Sequence, residues 1–251
     1  MTIIRKPVEY HDGDYVLEGM LCYKEGTDTA NRRLPCVIVC HAFQGRSEFE
    51  VGKAVALAEL GYVGFALDMY GKGVCGKTME ENRALLKPFI DDRLGLTLRR
   101  LKLAVEEVKK VPFVDSNQLG AIGFCFGGVC VLDMARAGLG LKAVVSLHGL
   151  LDRPKGTPEP ADSPHIETKV QVLHGYDDPM VPPEQLVTFM NEMTARKADW
   201  QLHSYGNAGH GFTKPGAEKA GIAGVAYEQN ADKRSWQSLK NFFEEVFTVS
   251  A

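Results

Sequence analysis

Apolar positions along this chain follow two alternating rhythms. Short unbroken apolar runs, such as 34–40 and 62–67, have the look of strands buried on both faces. Between them come stretches with the three-to-four-residue spacing of an amphipathic helix; 48–60 carries Val51, Val55, Leu57, Ala58 and Leu60. Residues 79–110 read as helical, with breaks at Pro88 and Gly95. Strands at 119–123, 142–147, 170–174 and 200–205 then alternate with helices at 127–137, 183–197 and 231–247, and a proline-rich loop occupies 153–164. Near the start, 15–23 is extended and partly alternating and follows the turn signal Asp12-Gly13, so 3–23 reads as an antiparallel hairpin. The pattern predicts an α/β fold with a mostly parallel central sheet, right-handed crossovers and helices on both faces. No internal repeat or low-complexity linker interrupts it, so residues 1–251 read as one domain.

Composition narrows the class. A chain of 251 residues is long enough for one well-buried core. The formal net charge of −3, with no basic cluster, argues against a nucleic-acid partner. No apolar run approaches a membrane span, and the start, Met1-Thr2-Ile3-Ile4-Arg5-Lys6-Pro7, lacks the apolar region of a signal peptide. Cysteines stand at 22, 36, 40, 75, 125 and 130 with no CxxC pair, which offers neither a zinc ribbon nor a thioredoxin motif. Scattered on apparent strands, they point to free thiols in a reducing cytoplasm. No His/Asp/Glu group has metal-ligand spacing, so neither metal nor cofactor is expected. Oligomeric state is not legible.

The chemistry concentrates at Gly123-Phe124-Cys125-Phe126-Gly127-Gly128, between an apolar strand and an apolar helix. This is the layout of a nucleophile elbow, G-x-S-x-G, with cysteine at its centre. Small residues are needed because strand and helix backbones pass close at the corner. A thiol there stands at a helix start, whose partial positive charge favours the thiolate. A buried structural cysteine fits the local pattern as well, so the case depends on partners. In elbow hydrolases an acid and then a histidine follow the nucleophile along the chain. Here Asp177 and Asp178 follow strand 170–174, and His210 sits in a glycine-bracketed loop after strand 200–205. All three positions fall just past strand ends, where open α/β sheets place ligands.

Other motifs have plainer readings. Gly71-Lys72-Gly73-Val74-Cys75-Gly76 matches G-x-G-x-x-G but lacks the dinucleotide context: three residues separate it from its strand, and Asp91 and Asp92 lie in a helical stretch. It reads as a flexible glycine loop at the rim of the site. A thiol-redox role for Cys125 with Cys130 suffers because five residues along a helix point the second thiol away from the elbow. His148 and His174 read as satisfied strand-end histidines, and His41 as one that shapes the next loop.

On these residues the chain resembles the dienelactone hydrolase family of the α/β-hydrolase fold. The resemblance rests on the cysteine elbow, on Gly175-Tyr176-Asp177-Asp178-Pro179-Met180-Val181-Pro182 and on Ala208-Gly209-His210-Gly211-Phe212. Leu67-Asp68-Met69-Tyr70 and His41-Ala42-Phe43-Gln44-Gly45 also look like family segments, and the match runs from about Cys36 to the C-terminus. The family pattern puts its acid three residues after a glycine and just before a proline, which implies Asp178 rather than Asp177. The resemblance implies hydrolysis of small esters or lactones by a Cys125–His210–Asp178 triad through an acyl-enzyme, a general carboxylesterase or thioesterase being the alternative. The oxyanion would be met by the backbone amides of Phe126, next to the nucleophile, and Phe43. Two departures stand out. Members that rest as a neutral thiol carry a carboxylate where this chain has Ala42. An arginine that holds the substrate's carboxylate is replaced by Lys214; a second arginine has no clear counterpart, Arg83 and Arg93 being the candidates.

Overall fold

A computed structural model describes residues 2–29 and 32–247. Eight strands form one sheet in the order β1-β2-β4-β3-β5-β6-β7-β8. They are β1 (Ile3–Asp12), β2 (Tyr15–Lys24), β3 (Leu34–Cys40), β4 (Val63–Ala66), β5 (Val114–Phe124), β6 (Ala143–Leu147), β7 (Lys169–Gly175) and β8 (Trp200–Tyr205). β1 pairs antiparallel with β2, and β2 antiparallel with β4, so the hairpin caps one edge. Every pairing from β4 to β8 is parallel.

The two-residue period of β3 explains the layering. Cys36, Ile38 and Cys40 face one core, and Val37 and Val39 face the other. The first core is closed by α2 (Met79–Asp91), α3 (Leu98–Lys109), α4 (Phe126–Arg136) and α5 (Pro183–Ala195), the second by α1 (Glu48–Glu59) and α6 (Gln229–Val246). The chain leaves β3 toward β4 on one side and β5 toward β6 on the other. The neighbouring ends of β3 and β5 therefore flank a switch point, where a crevice opens beyond the strand termini.

Two boundaries differ from expectation. Pro88 does not break α2, which runs on to Asp91. The chain turns at Asp92, whose carboxylate accepts the amides of Gly95 at 2.9 Å and Leu96 at 2.8 Å, and a π-helical turn (Arg93–Thr97) leads into α3. β5 starts at Val114, earlier than its apolar run, because the polar stretch 115–118 reads as turn although Val114 already pairs with Leu34. Among the described residues no helix is long and apolar enough to cross a membrane.

Candidate active site

β5 ends at Phe124 and α4 begins at Phe126, which leaves Cys125 on the corner at φ 55° and ψ −112°. A non-glycine residue there stores strain of about 1–3 kcal/mol, which the surroundings must impose. They do so by close packing. A Cβ on Gly123 would fall 1.9 Å from the Gly127 oxygen, and one on Gly127 would fall 2.1 Å from the Cys40 oxygen. Only glycines let β5, α4 and the end of β3 meet. The Cys125 amide is held by the Leu147 carbonyl at 3.1 Å and by Nδ1 of His148 at 3.2 Å.

The ends of β7 and β8 bring up the other two candidates. Nδ1 of His210 stands 2.8 Å from Oδ2 of Asp178, and both residues are buried. The other oxygen of Asp178 accepts the Met180 amide at 2.9 Å. His210 is pinned through its own amide to the Gly224 carbonyl at 2.8 Å. Asp177 is exposed, and its amide serves only the Ala208 carbonyl at 2.9 Å. Nε2 of His210 is buried and has no well-aligned hydrogen-bond partner among the described residues. With Nδ1 taken by Asp178, Nε2 is the nitrogen through which the ring interacts with the Cys125 thiol.

Charge ties the pair together. Burial pushes the Cys125 thiol up, but the His210 cation, its hydrogen bond and the amides of Phe126 and Phe43 outweigh this and hold the thiol below its ordinary 9.0. Burial pulls His210 down, yet the Cys125 thiolate and the Asp178 carboxylate raise it to about 10. Each group thus favours the charged form of the other. The two amides that favour the thiolate are the same two that were expected to receive an oxyanion. At the departure site, the nearby buried carboxylate Glu50 accepts the Ala42 amide at 3.3 Å and the Ser47 hydroxyl at 2.7 Å, where it also caps α1.

Lys214 lies on this side of the molecule. Its Nζ donates to Oε1 of Gln44 at 3.0 Å and sits 5.8 Å from the ring centre of Phe49. The two arginine candidates differ in setting. Arg83 is exposed on α2, and Arg93 is buried in ion pairs with Asp133 at 2.8 Å and Asp152 at 2.7 Å. The Gly71–Gly76 loop is tied to the loop that follows β3, since the Gly76 amide donates to the Gln44 carbonyl at 2.9 Å. Cys130 is buried.

Sequence reasoning undervalued His148. It follows β6, the parallel neighbour of β5, and that adjacency places it beside Cys125; only strand order could have revealed this. Burial, His210 and the cations of Lys53 and Lys214 hold it well below its ordinary 6.5, so it is neutral. His174 differs from expectation: it is buried, but neither ring nitrogen has a hydrogen-bond partner among the described residues. Burial lowers its affinity for a proton.

Known proteins resemble this chain over much of its length. A Caenorhabditis elegans protein, K02A2.1, is 44% identical over 160 residues, which cover 62% of this chain and 98% of that protein. A Bradyrhizobium protein named a probable 2-oxo-3-(5-oxofuran-2-ylidene)propanoate lactonase is 29% identical over 186 residues, covering 72% of this chain and 74% of that one. The crystal structure of P91, a dienelactone hydrolase-like promiscuous phosphotriesterase from metagenomic libraries, superposes with a TM-score of 0.90 at 34% identity, covering 98% of this chain and 99% of that one. The model of the dienelactone hydrolase family matches residues 21–247. With a match over nearly its whole length, the chain belongs to the dienelactone hydrolase family.

Proposed function

We propose that this protein hydrolyses small esters and lactones through a Cys125–His210–Asp178 triad. That it is a hydrolase of ester or lactone bonds follows from its family. The finer reading adds residues and roles. It takes residues 1–251 as one α/β-hydrolase domain that works in the cytoplasm on small molecules, without a metal, cofactor, nucleic acid or membrane. The observation that carries it is the 2.8 Å contact of Asp178 with His210, whose charge holds the Cys125 thiol below its ordinary value.

The Cys125 thiolate attacks the carbonyl carbon and a C–S bond forms. The carbonyl π electrons move onto oxygen, which takes over the amides of Phe126 and Phe43 as sulfur leaves them. The oxyanion collapses, the C–O bond breaks, and imidazolium His210 gives its Nε2 proton to the departing alkoxide. In a lactone the leaving group stays attached to the acyl chain. Neutral His210 then takes a proton from water, the hydroxide attacks the thioester, and Cys125 leaves as thiolate. Asp178 keeps the proton of the neutral ring on Nδ1 and stabilises the imidazolium. A thiolate expels alkoxides and enolates better than amines, so activated esters and enol lactones suit this site, in line with the lactonase name of the Bradyrhizobium relative.

The test is a panel of small enol lactones, aryl esters, thioesters and an aryl phosphotriester with wild type, Cys125→Ala and Cys125→Ser. Wild type should prefer lactones and activated esters, and should form a covalent adduct on Cys125 visible by intact mass. Cys125→Ala should lose roughly 10⁴-fold or more in kcat/KM. Turnover that survives Cys125→Ala would overturn the proposal; a preference for thioesters would favour the thioesterase alternative.

A further inference from the structure

Of the two amides that favour the Cys125 thiolate, Phe126 belongs to the first turn of α4 and is fixed by the helix. The other, Phe43, lies in the turn Ala42–Gly45 between β3 and α1, outside any helix or strand. A loop peptide can rotate, and an oxyanion donor that rotates by a fraction of a turn is lost. Something must hold it.

The peptide from Ala42 to Phe43 is trans, as are all the described peptides. Its carbonyl and its N–H therefore point in opposite directions. The Ala42 carbonyl is drawn away from Cys125 by two donors, Nδ1 of His41 at 2.7 Å and the Gly45 amide at 3.1 Å. Nδ1 must be the protonated nitrogen, because Nε2 accepts the Met69 amide at 3.1 Å. The next peptide is held as well: the Tyr70 hydroxyl donates to the Phe43 carbonyl at 3.1 Å. Residue 43 is thus clamped on both sides. The clamping rings touch each other edge to face at 4.7 Å, and Tyr70 stacks on Phe126 at 6.3 Å with 17° between planes. The same pair of rings that orients the Phe43 amide packs on the residue that carries the other one.

We infer that His41 and Tyr70 are positioning residues for the oxyanion-stabilising amide of Phe43. His41 cannot be a second base for Cys125, because both of its nitrogens are committed to backbone groups. The inference rests on the acyl-transfer reading above and adds the groups that hold its anion site in register.

Two reactions of the same sulfur separate this role from general support of the fold. Acylation by an aryl ester builds an oxyanion. Alkylation by iodoacetamide displaces iodide at a saturated carbon and builds none. Both rates are measured for wild type, His41→Leu, His41→Asn and Tyr70→Phe, with alkylation taken at its high-pH limit so that a change in thiol ionisation drops out. His41→Leu should lower the acylation kcat by roughly 10- to 100-fold, with KM little changed. His41→Asn, whose Nδ2 can stand in for Nδ1, should recover most of that loss. Tyr70→Phe should cost several-fold. The limiting alkylation rate should stay within about two-fold of wild type in all three.

Equal losses in both reactions, unchanged acylation, or identical behaviour of the Leu and Asn variants would each overturn the inference. If His41→Leu does not fold, Tyr70→Phe still decides, since it removes one hydroxyl and keeps the rings. Failure of the underlying reading looks different: wild type itself would acylate with no ester, or hydrolysis would survive Cys125→Ala, and this inference would fall with it.

Discussion

Cys125 and His148, two non-glycine residues with positive φ at the ends of neighbouring strands, are joined by a hydrogen bond from the Cys125 amide to Nδ1 of His148. Their φ values are 55° and 40°. Since Nδ1 accepts, Nε2 carries the proton and donates to the Thr213 hydroxyl at 2.8 Å. Thr213 stands three residues beyond His210, so His148 bridges the elbow to the loop of the imidazole.

Replacing that bridge should therefore cost both stability and rate. His148→Leu removes the acceptor and puts a bulky side chain at positive φ, with an expected loss of about 1–3 kcal/mol. Acylation should fall by roughly ten-fold or more as the elbow relaxes. His148→Asn keeps an acceptor near Nδ1 and tolerates the backbone, so it should retain most of both. Thermal unfolding and single-turnover acylation check this. A Leu variant as stable and as fast as wild type would remove His148 from the account.

The adjacent aspartates should behave very differently. Asp178 is buried on Nδ1 of His210, while Asp177 is exposed. Asp178→Asn should hold the imidazole in the wrong tautomer and cost roughly 10³- to 10⁴-fold in kcat. Asp177→Asn should change kcat by less than about three-fold, as most exposed substitutions do. The reverse order in steady-state kinetics would move the acid to Asp177 and leave the nucleophile untouched.

The reactivity of Cys125 should report its pairing through pH. The thiol titrates below 9.0 and His210 near 10, so thiolate and imidazolium coexist between those two points. The Cys125 contribution to stability is complete above 9.0 and fades as pH falls through its lowered value. The His210 contribution is complete below 6.5 and fades as pH rises through about 10. Iodoacetamide alkylation should rise with pH through an inflection below 9.0. In His210→Ala the thiol loses its main support while burial remains, and the inflection should move above 9.0. An unshifted inflection would mean that His210 does not hold the thiolate.

What was legible in the sequence follows from where the signals are local. The elbow, the acid turn and the histidine loop are each short runs with glycines in fixed places, and so could be read without a fold. The α/β alternation was legible because strands buried on both faces make unbroken apolar runs. Polar residues hid the first part of β5, and a proline suggested a break that α2 absorbs. Strand order was illegible, and with it every contact that depends on neighbouring strands. His148 belongs to that class, and so does the burial of Arg93 against Asp133, a residue 40 positions away on α4. The role of His41 was half legible: its place at the end of β3 pointed to the following loop, but which carbonyl it grips needs coordinates.

Lys214 offers the sharpest test of substrate charge. Its Nζ is hydrogen-bonded to Gln44, the residue after Phe43, at 3.0 Å, so a cation stands beside the loop that carries the Phe43 amide. Its charge is felt at His148, which itself bonds the Cys125 amide. Replacing a guanidinium by an ammonium keeps the charge and loses the two-pronged geometry, so an anionic substrate should still be favoured, with looser orientation. Small lactones that carry a carboxylate should therefore have a lower KM than neutral esters of equal size. Lys214→Met should raise KM for the anionic lactone by roughly ten-fold, the value of one charge-assisted hydrogen bond, and leave the neutral ester unchanged. Lys214→Arg should lower KM for the anion, because the fork pairs with both carboxylate oxygens. The preference should shrink as salt rises, since Lys214 is only half-buried and partly screened. Equal effects on both substrates, or none, would put the lysine outside the binding site and make an anionic lactone the wrong substrate class.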